Sequence, residues 1–212
     1  MKIVLFGATG MIGQRILHEA VGRGHSVTAI ARDPSKITET GPDVSPVAGD
    51  VLDTKAVAEQ VKGADAVVSS VSPGAGANDI YEKAAKSLIE GLKSAGVKRL
   101  IFVGGAGSLE VAPGVQLVDT PGFPEIYKAR ALAMRDELNY VRANGGDLDW
   151  TYISPAAIIH PGERTGTFRI GGDQLLVDAE GNSYISAEDF AIGLVDEIES
   201  SAHLKQRITL GY

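Results

Sequence analysis

The feature that constrains this chain most is a short apolar strand that runs straight into a glycine loop and then a helix. Lys2-Ile-Val-Leu-Phe6 is followed by Gly7-Ala-Thr-Gly10-Met-Ile-Gly13. An amphipathic stretch, Met11–Val21, places Ile12, Ile16, Leu17, Ala20 and Val21 on one face. The glycine spacing G-x-x-G-x-x-G has a physical reading at this place in the chain. Gly7 permits a tight turn off the strand, and Gly10 lets backbone approach a diphosphate with no Cβ between them. Gly13 lets the helix lie close to the sheet. The helix start then offers free N–H groups and a partial positive charge to the anion. A glycine triplet alone says little; one between a strand and an amphipathic helix points to dinucleotide binding.

The rest of the chain continues the alternation. Apolar β-rich runs recur at Ser26–Ala31, Ala66–Val71, Leu100–Val103 and Trp150–Ile153, with a weaker one at Val44–Val47. They are apolar throughout rather than alternating, as strands covered on both faces are. Helical stretches lie between them. Thr54–Val61 follows Asp53 as a cap, and Ile80–Ala95 aligns Ala84, Leu88, Ile89 and Leu92. Glu125–Val141 aligns Ile126, Ala129, Leu132, Ala133 and Leu138. Strand–helix alternation implies right-handed crossovers and a parallel sheet. The expected fold is α/β: a Rossmann-like doubly wound parallel sheet with helices on both faces, one domain over residues 1–212. Arg164–Asp178 reads as a hairpin or irregular loop, Asp178–Asn182 as a turn, and Ser186-Ala-Glu-Asp189 as the capped start of a helix, Phe190–Glu199.

Composition closes off several classes. With no Cys, disulfides, thiolate metal sites and thiol catalysis are excluded. A net charge of −7 argues against non-specific nucleic-acid binding, which needs a cationic face. His18, His25 and His203 have no metal-ligand spacing, and no metal is expected. Only four apolar residues precede Gly7, too few for a secretory signal, and no run approaches the ~20 apolar residues of a membrane span. A soluble, cytoplasmic protein without membrane contact is expected, with a homodimer left open as the assembly.

At the end of the second strand, Arg32 and Asp33 stand side by side. An acid here holds the ribose hydroxyls of NAD, and an arginine favours a 2′-phosphate. Asp33 precedes Pro34, which suits a helix cap. That leaves Arg32, with Lys36 a turn later, at the ribose, so NADP(H) is preferred over NAD(H). Asp50 reads equally as a partner of the adenine amino group or as a cap.

The runs KIVLFGATGMIG, AIARDPSK, AGDVLD, ADAVVSSVSP, VKRLIFVGGAGSLEVAPG and DLDWTYISPAAIIHPGERTG resemble the atypical short-chain dehydrogenases/reductases. The likeness is to the NADH-flavin reductase group, related to biliverdin reductase B and the NmrA-like NAD(P)-binding proteins, and spans nearly the whole chain. It implies bound NADP(H) and hydride transfer to FMN, FAD, riboflavin or a similar planar acceptor, the flavin being a substrate rather than a tightly held group. It implies a diphosphate loop of Gly7, Thr9, Gly10, Met11, Ile12 and Gly13, with Arg32 at the 2′-phosphate and Asp50 and Val51 at the adenine. Ser69 and Ser70 border the ribose and nicotinamide, Gly104, Gly105 and Ala106 lie beneath the nicotinamide, and Ser154, Pro155 and Ala156 offer backbone groups to the carboxamide.

Two departures from relatives matter. The short-chain dehydrogenase Tyr-x-x-x-Lys pair is missing: Tyr81, Tyr127 and Tyr140 are followed four residues on by Ala85, Ala131 and Asn144. A ketone reductase needs that dyad to protonate its alkoxide, and an epimerase of this lineage is disfavoured with it. Where biliverdin reductase B carries a hydroxyl beneath its substrate, this chain has Gly105, and Ser108 replaces it only if the loop folds inward. Flavin reduction survives both losses, because there the protein mainly positions the reactants. Candidate catalytic side chains are Ser108 and Tyr127. The acceptor is expected beneath two long loops at about 105–123 and 156–172, the first with Leu109, Val111, Pro113 and Phe123, the second with His160. A non-catalytic NmrA-like redox sensor that binds NADP(H) is the alternative.

Overall fold

In the computed structural model, which describes residues 1–73 and 77–212, the chain order is β1 (Lys2–Phe6), α1 (Met11–Gly22), β2 (Ser26–Ala31), β3 (Val44–Ala48), α2 (Thr54–Gln60), β4 (Ala66–Ser69), α3 (Ile80–Ala95) and β5 (Arg99–Val103). There follow β6 (Glu110–Ala112), β7 (Val115–Gln116), α4 (Glu125–Asn144), β8 (Asp149–Pro155), β9 (Ile158–His160), β10 (Arg169–Gly171), β11 (Tyr184–Ser186), α5 (Ala187–Ser200) and β12 (Gln206–Gly211). The main sheet runs β10-β12-β8-β5-β4-β1-β2-β3. Every pairing is parallel except that of β10 with β12. This is the doubly wound order, and its switch point lies between β1 and β4.

Two apolar layers hold the sheet. Alternate residues such as Leu5, Ala29, Val68 and Ile153 pack under α1 and α5, while Phe6, Leu100, Phe102 and Tyr152 pack under α3 and α4. Trp150 belongs to the second layer. Pro46 sits in β3, an edge strand, where its missing N–H leaves no ladder bond unmade.

The structure differs from the sequence reading in four places. First, β12 was not expected. It carries only Ile208 and Leu210 as apolar residues, yet it lies between β8 and β10 with Arg207 and Thr209 buried. Second, the Arg164–Asp178 stretch is the irregular loop of the two alternatives read for it, but it also contributes β10, which joins the main sheet through β12. Third, residues 105–123 are no open loop. They contain the β6–β7 hairpin and a 3₁₀ turn, Leu117–Asp119. Fourth, the early turns of α4 are not buried: Ile126 is 81% exposed and Ala129 is also exposed.

No helix among the described residues is long and apolar enough to cross a membrane.

Candidate nucleotide and acceptor site

The carboxyl ends of β1 and β4 meet at the glycine loop. Gly7 has φ +83°, and a Cβ there would overlap the Ser70 carbonyl. The backbone of Ser70 is tied to the same strand, its N–H donating to the Phe6 carbonyl at 2.9 Å. Gly13 is needed for a different reason: its Cβ would overlap the Gly7 carbonyl, so α1 could not lie against the strand end. Gly10 differs from both. Its φ is −75°, and an added Cβ would meet only the Gly7 oxygen at 3.5 Å and the Ser70 oxygen at 4.0 Å, both ordinary contacts. Nothing among the described residues requires glycine there. The N-terminus of α1 beside it has no side-chain cap. A helix start with free N–H groups and a position kept clear of side chain fit an external diphosphate. Thr9, Met11 and Ile12 lie on this same turn; the Thr9 carbonyl accepts from Gln14 Nε2 at 3.1 Å.

At the end of β2 the two neighbours divide their tasks. The Asp33 carboxylate accepts from the Ser35 hydroxyl at 2.6 Å and the Ser35 N–H at 3.2 Å, capping a 3₁₀ turn that opens with Pro34. The Ser35 hydroxyl holds this carboxylate below its usual range. Lys36 leans on Asp33 at 3.7 Å. Arg32 is exposed and donates to no acceptor among the described residues. Asp50 accepts from the Leu52 N–H at 3.0 Å in a local turn and does not cap α2; that cap is Asp53, through the Lys55 and Ala56 N–H groups. Val51 is buried beside Asp50.

At the far end of the crevice, β5 ends in Val103-Gly104-Gly105. Gly104 is fixed by Tyr152, whose ring would overlap any side chain there. Gly105 lies under the sulfur of Met134 and Gly107 under Ala131, so α4 rests directly on this turn. Ala106 accepts from the Leu109 N–H at 2.9 Å. Ser69 is buried at the end of β4. The Ser154 carbonyl accepts from Thr209 Oγ1 at 3.1 Å, and the Ala156 N–H donates to the Leu210 carbonyl at 2.9 Å. Those two groups are thus tied into the sheet, and Pro155 has no N–H to give.

Several expectations for the acceptor end are corrected here. The loop does fold inward, but Ser108 ends 4% exposed, its hydroxyl 3.4 Å from an Arg207 guanidinium nitrogen, with no face to offer an acceptor. Leu109 is fully buried, Val111 and Pro113 are on the exposed hairpin, and Phe123 is half-buried. Tyr127, on the first turn of α4, is 58% exposed. The segment after β9 is clamped onto neighbouring helices. The Gly162 N–H donates to Glu188 at 2.7 Å, and Arg164 forks onto Glu19 of α1 at 2.9 and 3.0 Å. Thr165 and the Gly166 N–H both donate to Asp189, which also accepts from the Tyr212 hydroxyl at 2.8 Å. Burial opposes ionisation of Asp189, but these donors keep its pKa below the usual carboxylate range. The exposed His160 ring packs on Tyr184 at a centroid distance of 4.7 Å.

One group in this region escaped the sequence reading. Glu137 of α4 is 3% exposed and lies 2.9 Å from the Tyr152 hydroxyl. Burial pushes its pKa up to about 8, against a smaller opposing effect of the tyrosine. At neutral pH it is therefore an acid: its O–H donates to Tyr152, which donates in turn to the Met134 carbonyl at 3.0 Å. The only sequence signal was an acidic residue beside Leu138 on the buried side of an amphipathic helix.

The comparisons with known proteins agree with this geometry. Residues 7–201 match the NAD(P)H-binding family. The chain belongs to that family. Over 213 residues it is 42% identical to the uncharacterised protein YwnB of Bacillus subtilis, covering 99% of this chain and 98% of YwnB. A solved structure from Burkholderia pseudomallei, provisionally named an exported protein, is 52% identical with a TM-score of 0.92, and each chain covers 100% of the other. One from Streptococcus pneumoniae, provisionally named an NADH-flavin reductase, is 36% identical with a TM-score of 0.89, covering 100% of this chain and 99% of that one. This chain is thus an NAD(P)H-binding protein, and the reductases among its relatives support an oxidoreductase.

Proposed function

We propose that this chain is an NADPH-dependent flavin reductase. The observation that carries the reading is the contrast between the two ends of the crevice. At one end, Gly10 and the uncapped start of α1 leave room for a diphosphate, and Asp33 is engaged in capping while Arg32 is left to face a 2′-phosphate. At the other end, α4 lays Ala131 against Gly107, four residues after Tyr127. No lysine is present to complete an alkoxide-protonating dyad. A bound NADPH supplies a hydride. The chain's own contribution is to fix that nucleotide from Gly7 to Gly13 and to hold its nicotinamide over Gly104–Ala106, which leaves the other face of that ring for a planar acceptor. A flavin suits such a site because its reduction leaves no alkoxide to protonate. The name carried by the Streptococcus pneumoniae relative supports the same acceptor.

The test is NADPH oxidation followed at its absorbance band on adding FMN or riboflavin. Turnover well above the uncatalysed background is expected, with NADPH preferred over NADH. Tight NADPH binding with no flavin turnover would reject the enzyme and select a redox sensor instead.

A further inference from the structure

Every arginine of this chain except two donates to a protein acceptor among the described residues. The two are Arg32 and Arg130, and both are exposed. Arg32 lies at the nucleotide's ribose end. Arg130 lies at the other end of the same crevice. Its place follows from α4. That helix has 20 residues, about 30 Å at 1.5 Å per residue, whereas the five-residue β5 spans about 17 Å. Its buried residues, Glu137, Leu138 and Val141, are all in the second half. The first turns therefore overhang the carboxyl edge of the sheet.

Positions 127, 130, 131 and 134 share one face of the helix at spacings of three and four. Ala131 and Met134 of that face rest on Gly107 and Gly105. Tyr127 and Arg130 continue it outward, past the nicotinamide floor. Across the gap is Tyr81 at the start of α3, buried, its phenol raised by desolvation and drawn back down by the Arg130 charge. The neighbouring carboxylates are otherwise engaged: Glu125 is paired with Lys128 at 3.8 Å, and Glu137 is the buried acid bonded to Tyr152. A guanidinium with no acceptor among the described residues, beside an exposed tyrosine ring, has the chemistry to receive an anion attached to a flat ring system.

We propose that Arg130 is the specificity residue for the acceptor, and that the acceptor carries an anionic arm, a phosphate or carboxylate, which Arg130 receives while its ring stacks on the nicotinamide held over Gly104–Ala106. This deepens the flavin reductase reading and rests on it. For flavins it means FMN over riboflavin, two molecules with the same ring that differ by one phosphate.

The experiment measures FMN and riboflavin binding to the NADP⁺-saturated protein by flavin fluorescence, for wild type, Arg130→Gln and Arg130→Lys, alongside NADPH affinity. FMN is expected to bind about 10-fold or more tighter than riboflavin. Arg130→Gln should remove that preference, leaving riboflavin and NADPH binding unchanged, and Arg130→Lys should restore part of it. Equal affinity for the two flavins, an equal change in both, no binding of either, or a parallel loss of NADPH affinity overturns the proposal. FMN that binds through Arg130 but is never reduced by NADPH would keep the anion site and remove the reductase reading.

Discussion

Arg32 and Asp33 are adjacent in sequence and opposite in fate. The aspartate turns back on Ser35 and is consumed as a cap, while the arginine is left facing outward with no protein acceptor among the described residues. A hydrogen bond to a charged group is worth about 1.5–3 kcal/mol, which is about 10- to 100-fold in affinity. Arg32→Ala is therefore expected to weaken NADPH by that factor and to leave NADH nearly unchanged, read by titration of both nucleotides. Equal loss of both would remove the 2′-phosphate role. This division was legible in the sequence, because Asp-Pro is a local capping signal that needs no tertiary partner. Ser108 was not legible. Its neighbour Arg207 is 99 residues away, on a strand that periodicity did not announce, and only the packed structure buries the two together.

At the scale of elements, the glycine loop joins three demands that look alike in sequence and differ in space. Gly7 and Gly13 are required by the protein itself, since side chains there would overlap backbone. Gly10 has ordinary room. Gly10→Val should thus keep the fold and its melting temperature yet lose both nucleotides. Gly13→Ala should lower stability by about 3 kcal/mol or more, because α1 must lift off β1. Thermal unfolding without nucleotide, followed by nucleotide titration, separates the two; a Gly10→Val protein that still binds NADPH would sink the diphosphate reading. The 156–172 stretch teaches the converse. From sequence it looked like a cover over the acceptor, but Arg164, Thr165 and Gly166 dock it onto Glu19 and Asp189 of α1 and α5. Long-range ion pairs and buried carboxylates leave no periodic trace.

For the molecule as a whole, the buried acid Glu137 gives stability a pH dependence. Its folded pKa, about 8, lies above the ordinary value of 4.5. Between those two values the unfolded chain ionises this group while the folded chain keeps the proton, so stability falls as pH rises from about 4.5 to 8 and then levels off. The size is on the order of 5 kcal/mol at about 1.4 kcal/mol per pKa unit. Glu137→Gln keeps the shape without the ionisable proton. Its melting temperature is expected to exceed that of wild type at pH 8 and to match it near pH 5. Parallel pH profiles for the two proteins would show that Glu137 is already ionised in the fold.

The parallel order of the sheet, the glycine cradle and the vacancy left where a Tyr–Lys dyad would stand were all determined by the sequence alone. Each rests on local forces: a turn that only glycine can make, a helix period, a residue type present or absent at a fixed spacing. The tertiary structure alone decided the rest. It inserted β12 beside β8, hid Ser108 and Leu109, carried α4 beyond the sheet, and made an acid of Glu137. These outcomes depend on desolvation and on contacts between residues tens to hundreds of positions apart, which a chain acquires only when both faces of its sheet are closed.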